Sequence, residues 1–112
     1  MVIETLDKET FASDRQQSEK YLFLCFFEST TPPDSEFLGA IEGLTEKIGS
    51  VLEVYLGKEA DLDFFQNTFD FWGTPTYILL RGGQEIGRLL GKVSSESITQ
   101  FIVENVSNIT ST

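Results

Sequence analysis

The sequence predicts an α/β fold, with a mixed central sheet of about five strands and helices on both faces, in the order βαβαβαββα. Three observations carry the prediction. Residues 21–27 read Tyr-Leu-Phe-Leu-Cys-Phe-Phe, an apolar run of strand length with no polar alternation. Such a run suits a central strand covered on both faces. Phe37, Ile41, Leu44 and Ile48 recur at helical spacing, with Leu38 beside them. Two strand-like segments flank Arg81-Gly82-Gly83-Gln84, the signature of a hairpin, and a helical pattern follows it.

The elements follow in order along the chain. Residues 2–6 form a short candidate strand. Asp7 is placed to cap a first helix running to about residue 17, with Phe11 and Ala12 on its apolar side. After the central strand, Pro32 and Pro33 are expected to open the second helix, since a first-turn proline lacks only an N–H that has no helical partner. Gly49 stands where that helix should stop. Residues 51–56 alternate, which puts Leu52, Val54 and Leu56 on one face of a strand. Residues 60–68 form a short helix. Residues 76–80 and 85–90 are the hairpin strands. Ser94 or Ser95 caps the last helix, which turns Ile98, Phe101, Ile102 and Val106 inward.

The 112 residues fit one domain, spanning residues 1–112 with a polar, frayed tail at 107–112. A chain of this size buries roughly two-thirds of its unfolded surface, enough for one core without staples. The formal net charge of −10 argues against nucleic acid, whose binding needs a basic surface, and against anionic membrane surfaces. It serves solubility and suits a basic partner. No basic segment followed by an apolar stretch opens the chain, so no signal peptide is expected. The longest apolar run is too short to cross a bilayer. There is no His, which removes imidazole ligands and His-based catalysis, and the single Cys25 cannot form a disulfide within the chain. A cytoplasmic protein is expected. Oligomeric state and partner identity are left open.

The second half carries a family resemblance. Gly73-Thr74-Pro75-Thr76, Gly91 after the last strand, and Gly91-Lys92-Val93-Ser94 ahead of the final helix resemble the corresponding segments of thioredoxin-like proteins. The similarity runs over roughly residues 2–106 and is most specific in the second half. It implies a thioredoxin fold, with a cis peptide bond before Pro75 beside the family's active site. Counting back from the helix start, Thr31-Pro32-Pro33-Asp34 occupies the positions of the family's Cys-x-x-Cys motif. Pro33 matches the family proline, while Thr31 and Asp34 stand in place of the two cysteines.

That replacement removes the family's chemistry. A cysteine at a helix N-terminus is stabilised as its thiolate and attacks a disulfide, and a second cysteine resolves the mixed disulfide. Thr31 keeps its hydroxyl proton near neutral pH and has no base to activate it. Asp34 accepts hydrogen bonds and suits a helix N-terminus as a cap. Cys25 lies six residues before Thr31, where the resemblance implies a buried acid that assists proton transfer. Within an apolar strand Cys25 should be buried and unreactive. The resemblance also implies a lysine in the third strand near that acid, and Glu53 stands in its place. Nucleophile, resolver and buried acid are thus all absent.

What the resemblance leaves is the groove at Pro75, where the family's backbone meets an extended peptide as an added strand. Trp72, one residue before Gly-Thr-Pro, is either an exposed contact beside that groove or a ring packed over the turn, with Phe69 or Phe71 in the core. Glu59, Asp61 and Asp63 lack the glycine and terminal Glu of a calcium loop, and residues 81–84 lack the strand-to-helix context of a phosphate loop. No metal and no cofactor is called for. The expected function is that of a redox-inactive, thioredoxin-like protein that binds a protein or extended peptide through Trp72, Thr74 and Pro75. Accessory proteins of hydrogenase maturation share the missing cysteine pair and the acidity, though no motif selects them. The alternatives are an oxidoreductase-related protein working through Cys25 or with a partner's cysteines, and a structural role such as a homodimer.

Overall fold

The computed structural model describes residues 3–13, 19–30 and 32–106. Thr31, the expected end of the first helix and the tail at 107–112 lie outside the described residues. Five strands form one mixed sheet: β1 (Glu4–Leu6), β2 (Tyr21–Phe26), β3 (Leu52–Gly57), β4 (Thr76–Arg81) and β5 (Gln84–Leu90). Their spatial order is β1-β3-β2-β4-β5. β3 runs parallel to both β1 and β2, whereas β4 is antiparallel to β2 and to β5. Among the described residues three helices lie between the strands, α1 (Lys8–Ser13), α2 (Ser35–Ile48) and α3 (Leu62–Phe69), which follows a 3-10 turn at Glu59–Asp61, and α4 (Ser95–Asn105) follows β5.

Every residue of β2 is buried, because its two faces serve two separate cores. Phe23 and Cys25 point toward α2 and α4 and pack with Phe37, Ile41, Leu79 and Ile102. Leu22, Leu24 and Phe26 point the other way, among Phe11, Tyr55, Phe65 and Phe71. Strand side chains alternate faces, so one uninterrupted apolar run feeds both cores. The alternation in β3 divides similarly: Leu52, Val54 and Leu56 join the first core and Tyr55 the second.

Local signals mark most boundaries. Thr10 N–H donates to Asp7 Oδ1 at 2.7 Å, closing the first turn of α1. That bond holds the Asp7 carboxyl below its ordinary range, since it favours the charged form. Gly82 and Gly83 have φ of 61° and 81°, the doubly positive geometry that a two-residue hairpin turn requires. Ser94 Oγ accepts from Ser97 N–H at 3.1 Å and caps α4.

Two expectations need correction. Pro32 and Pro33 do not open α2: the helix begins at Ser35, with Asp34 in extended geometry as its N-cap. The carboxylate is what starts the helix, and both prolines precede it as part of the incoming loop. Glu53 does not face Cys25. The register pairs Cys25 with Leu56 on β3 and Tyr77 on β4, whereas Glu53 pairs with Leu22. Glu53 instead accepts from Tyr55 Oη at 3.0 Å and lies 3.9 Å from Lys20. Parallel register depends on how whole strands align, which a resemblance within one strand does not reveal.

Candidate functional site

The loops that leave β2 and enter β4 meet at one end of the sheet. On the first side, Asp34 Oδ1 accepts from Phe37 N–H at 2.8 Å, which satisfies one of the orphan donors at the start of α2. On the second side the chain turns at Gly73-Thr74-Pro75-Thr76, and the Thr74–Pro75 peptide is cis. Thr76, itself buried, donates its hydroxyl to Gly73 O at 2.6 Å. Gly91 N–H donates to Pro75 O at 2.9 Å, and Gly91 reaches this position with φ of 80°, a conformation that favours glycine.

The two loops are tied by a bond that sequence reasoning missed. Thr74 Oγ1 donates to Glu28 Oε1 at 2.6 Å. A charge-assisted hydrogen bond of that length is among the stronger ones. Glu28 follows the apolar run with no motif around it, and its partner lies 46 residues away. Ser29 N–H donates to Glu59 Oε2 at 3.0 Å, and Lys8 N–H to Asp61 Oδ2 at 3.1 Å. The acidic residues at 59 and 61 therefore hold backbone donors of neighbouring segments. Among the described residues, no cluster of three or more Cys, Asp or Glu side chains is arranged to hold a metal ion.

Two clefts flank the turn and share Thr74. The first, of about 400 Å³, lies on the α2 and α4 side and is lined by Phe27, Pro32, Asp34, Pro75, Tyr77 and Lys92, among others. Its aromatic floor is closely packed: Phe27 meets Phe37 edge-on at 5.2 Å and Tyr77 at 5.7 Å. Tyr77 stacks on Phe23 at 6.0 Å. Burial, with the charges of Cys25 and Asp34 adding to it, pushes the Tyr77 phenol up to about 12, so it is a neutral donor at ordinary pH.

The second cleft, of about 300 Å³, opens toward β5 and holds Trp72, Arg88 and Leu90. Trp72 is 83 % exposed and Leu90 64 % exposed, so the Trp72 ring does not pack over the turn. Its neighbour Phe71 is buried and stacks on Phe26 at 5.0 Å. Arg88 fixes the loop between them: its guanidinium donates to Phe69 O at 2.6 Å and Asp70 O at 3.1 Å, and to both Glu85 carboxylate oxygens. Asp70 ends α3 with φ of 59°, so Arg88 occupies carbonyls that the helix terminus leaves over. The Glu85 bonds raise the already high pKa of the guanidinium.

Cys25 lies beneath this site, fully buried between Leu56 and Tyr77. Burial pushes its thiol well above the ordinary range, so neither access nor thiolate is available to it. Of the four positions matched with the redox motif, Pro32, Pro33 and Asp34 are described; Pro32 and Asp34 line the first cleft. Trp72, Thr74 and Pro75 come together with them at the same end of the sheet. Among the described residues, no helix is long and apolar enough to cross a membrane. No protein-family model matches the sequence, and no curated protein matches it at a significant level.

Proposed function

We propose that this chain is a redox-inactive, thioredoxin-like domain that binds an extended segment of a partner protein at the Thr74–Pro75 turn and serves as a binding or accessory module. Two clefts flanking one rigidly tied turn, with Trp72 83 % exposed at the edge, carry this reading. A large ring held in water has no folding reason to be there. Such rings, set beside a recessed apolar cleft, are typical anchors for partners. The strand order and the antiparallel β4 agree with a thioredoxin fold.

The single cysteine leaves no pair for disulfide exchange within the chain. Cys25 gives no support to a monothiol mechanism, because its sulfur is buried and protonated. A basic segment suits the net charge of −10, and its encounter would be faster at low salt. The test is capture of partners from host extract on immobilised wild-type protein and on a Trp72→Ala/Thr74→Asp variant, with and without reductant. A partner lost with the variant and indifferent to reductant is expected. A partner held only in the absence of reductant would make Cys25 the working group and overturn the reading.

A further inference from the structure

The first cleft holds a buried polar group that no described residue hydrogen-bonds. Tyr77 is only 3 % exposed yet lines the cleft. Its ring is satisfied by Phe23, Phe27 and Phe37. Among the described residues, none hydrogen-bonds its hydroxyl. Buried phenols ordinarily find a hydrogen-bond partner, because leaving one unmade carries the desolvation cost of the group. Among the described residues this one has no such partner, so its donor is open to a ligand in the cleft.

A second unpartnered group lines the same space. Asp34 uses Oδ1 to cap α2, and among the described residues nothing pairs with its Oδ2. Asp34 is close enough to Tyr77 for its charge to oppose ionisation of the phenol. The cleft thus offers one neutral donor and one acceptor over aromatic walls. Lys92 lines it as well, and its charge offsets that of Asp34, so the formal charge of the cleft sums to zero. A neutral ligand group carrying both an acceptor and a donor fits this set, and a carboxamide is the side-chain group that does so with fixed geometry.

We propose that this cleft is a subsite for the carboxamide of a glutamine or asparagine side chain, projected by the extended segment bound at the Thr74–Pro75 turn. The inference rests on the peptide-binding reading above. The carboxamide C=O accepts from the Tyr77 hydroxyl, and its NH₂ donates to Asp34 Oδ2. The donor is recessed below the turn, so a protruding side chain reaches it and the main chain of the segment does not. A glutamate in that place would meet the Asp34 carboxylate, and a leucine or methionine would leave both polar groups unpaired.

The test uses a displayed library of random linear peptides sorted against the wild-type protein, followed by titration of synthesised winners. Enrichment of Gln or Asn at one position is expected. Replacing that residue by Met or Glu should weaken binding about tenfold, the scale of one or two hydrogen bonds. Tyr77→Phe should weaken the Gln peptide about as much and leave the Met peptide unchanged, which is the signature of a direct pair. Asp34→Asn keeps a capping oxygen but turns the acceptor into a donor, and should weaken the Gln peptide without lowering the melting temperature.

Tyr77→Phe should also melt at the wild-type temperature or above it, because no partner among the described residues is lost. A clear drop would reveal a partner within the chain and overturn the inference. So would winners with no preference at that position, winners enriched in Asp or Glu, or a Tyr77→Phe variant that binds the Gln peptide as wild type does. If those results come while Trp72→Ala still abolishes binding, the groove stands and only the subsite falls. If no peptide is enriched at all, both readings fall.

Discussion

The two clefts beside Thr74 are built on opposite physical terms. The one facing α2 and α4 is recessed, floored by buried rings and lined by polar groups with defined hydrogen-bonding character. The one facing β5 is shallow and carries Trp72 and Leu90 in the open. The first suits selection, since a buried donor rejects any group that fails to pair with it. The second suits affinity, since exposed apolar area gains from being covered by almost any apolar partner. Their supports differ as well. The first cleft shares its walls with the core, so changing it costs stability. The second carries Trp72 and Leu90 outside the core, so these two can be changed with little effect on folding.

That contrast can be broken in several ways. Phe37→Ala, which removes a floor ring that is 4 % exposed, should cost about 3–5 kcal/mol of unfolding free energy in a denaturant titration. It should also open the floor of the first cleft. A loss below ~1 kcal/mol would mean the floor is not part of the core. Trp72→Ala should leave stability within ~0.5 kcal/mol but remove about 2 kcal/mol or more of partner binding by calorimetry. A large stability loss there would erase the distinction between the two sides.

Arg88→Ala should cost about 1–2 kcal/mol, since it leaves the carbonyls of Phe69 and Asp70 without their donor at a partly exposed site. Arg88→Lys should recover little, because an ammonium cannot span two carbonyls and a carboxylate as the planar fork does. Asp34→Ala should cost ~1 kcal/mol through the lost cap, whereas Asp34→Asn should be close to neutral for stability.

The smallest effect is in the alkaline range. Tyr77 is raised to about 12 in the folded protein, above the ordinary value of about 10. The unfolded chain therefore loses this proton first as pH rises. The stabilising contribution is complete below about pH 10 and is lost between there and about 12. Wild type should lose more stability than Tyr77→Phe across that window. Parallel decline of the two proteins would show that the phenol is not buried. Cys25, also raised, remains in both proteins and cancels in the comparison.

Much of the architecture was legible in the sequence because its signals are local. The all-apolar β2, the helical spacing of Phe37, Ile41 and Leu44, the Gly82-Gly83 turn and the Ser94 cap each act within one or two turns of chain. The candidate site was legible in its members but not in its wiring. Trp72, Thr74, Pro75 and Asp34 stood out by type and neighbourhood, and the lack of a second cysteine was evident from residue identity alone. Glu28 was not, nor was Arg88, because nothing adjacent to either one announces a partner.

The amino-acid sequence by itself determined that this protein has an α/β fold and cannot form a disulfide within its own chain. Hydrophobic period and residue chemistry suffice for both. Only the tertiary structure decided that Cys25 faces Leu56 and Tyr77, that Glu28 ties Thr74 across 46 residues, that Arg88 terminates α3, and that the Tyr77 hydroxyl is buried beside a cleft with no partner among the described residues. Those facts depend on register and on which loops meet at the sheet end. Both are set by the packing of the whole chain, because each such contact joins segments that local preference treats as independent.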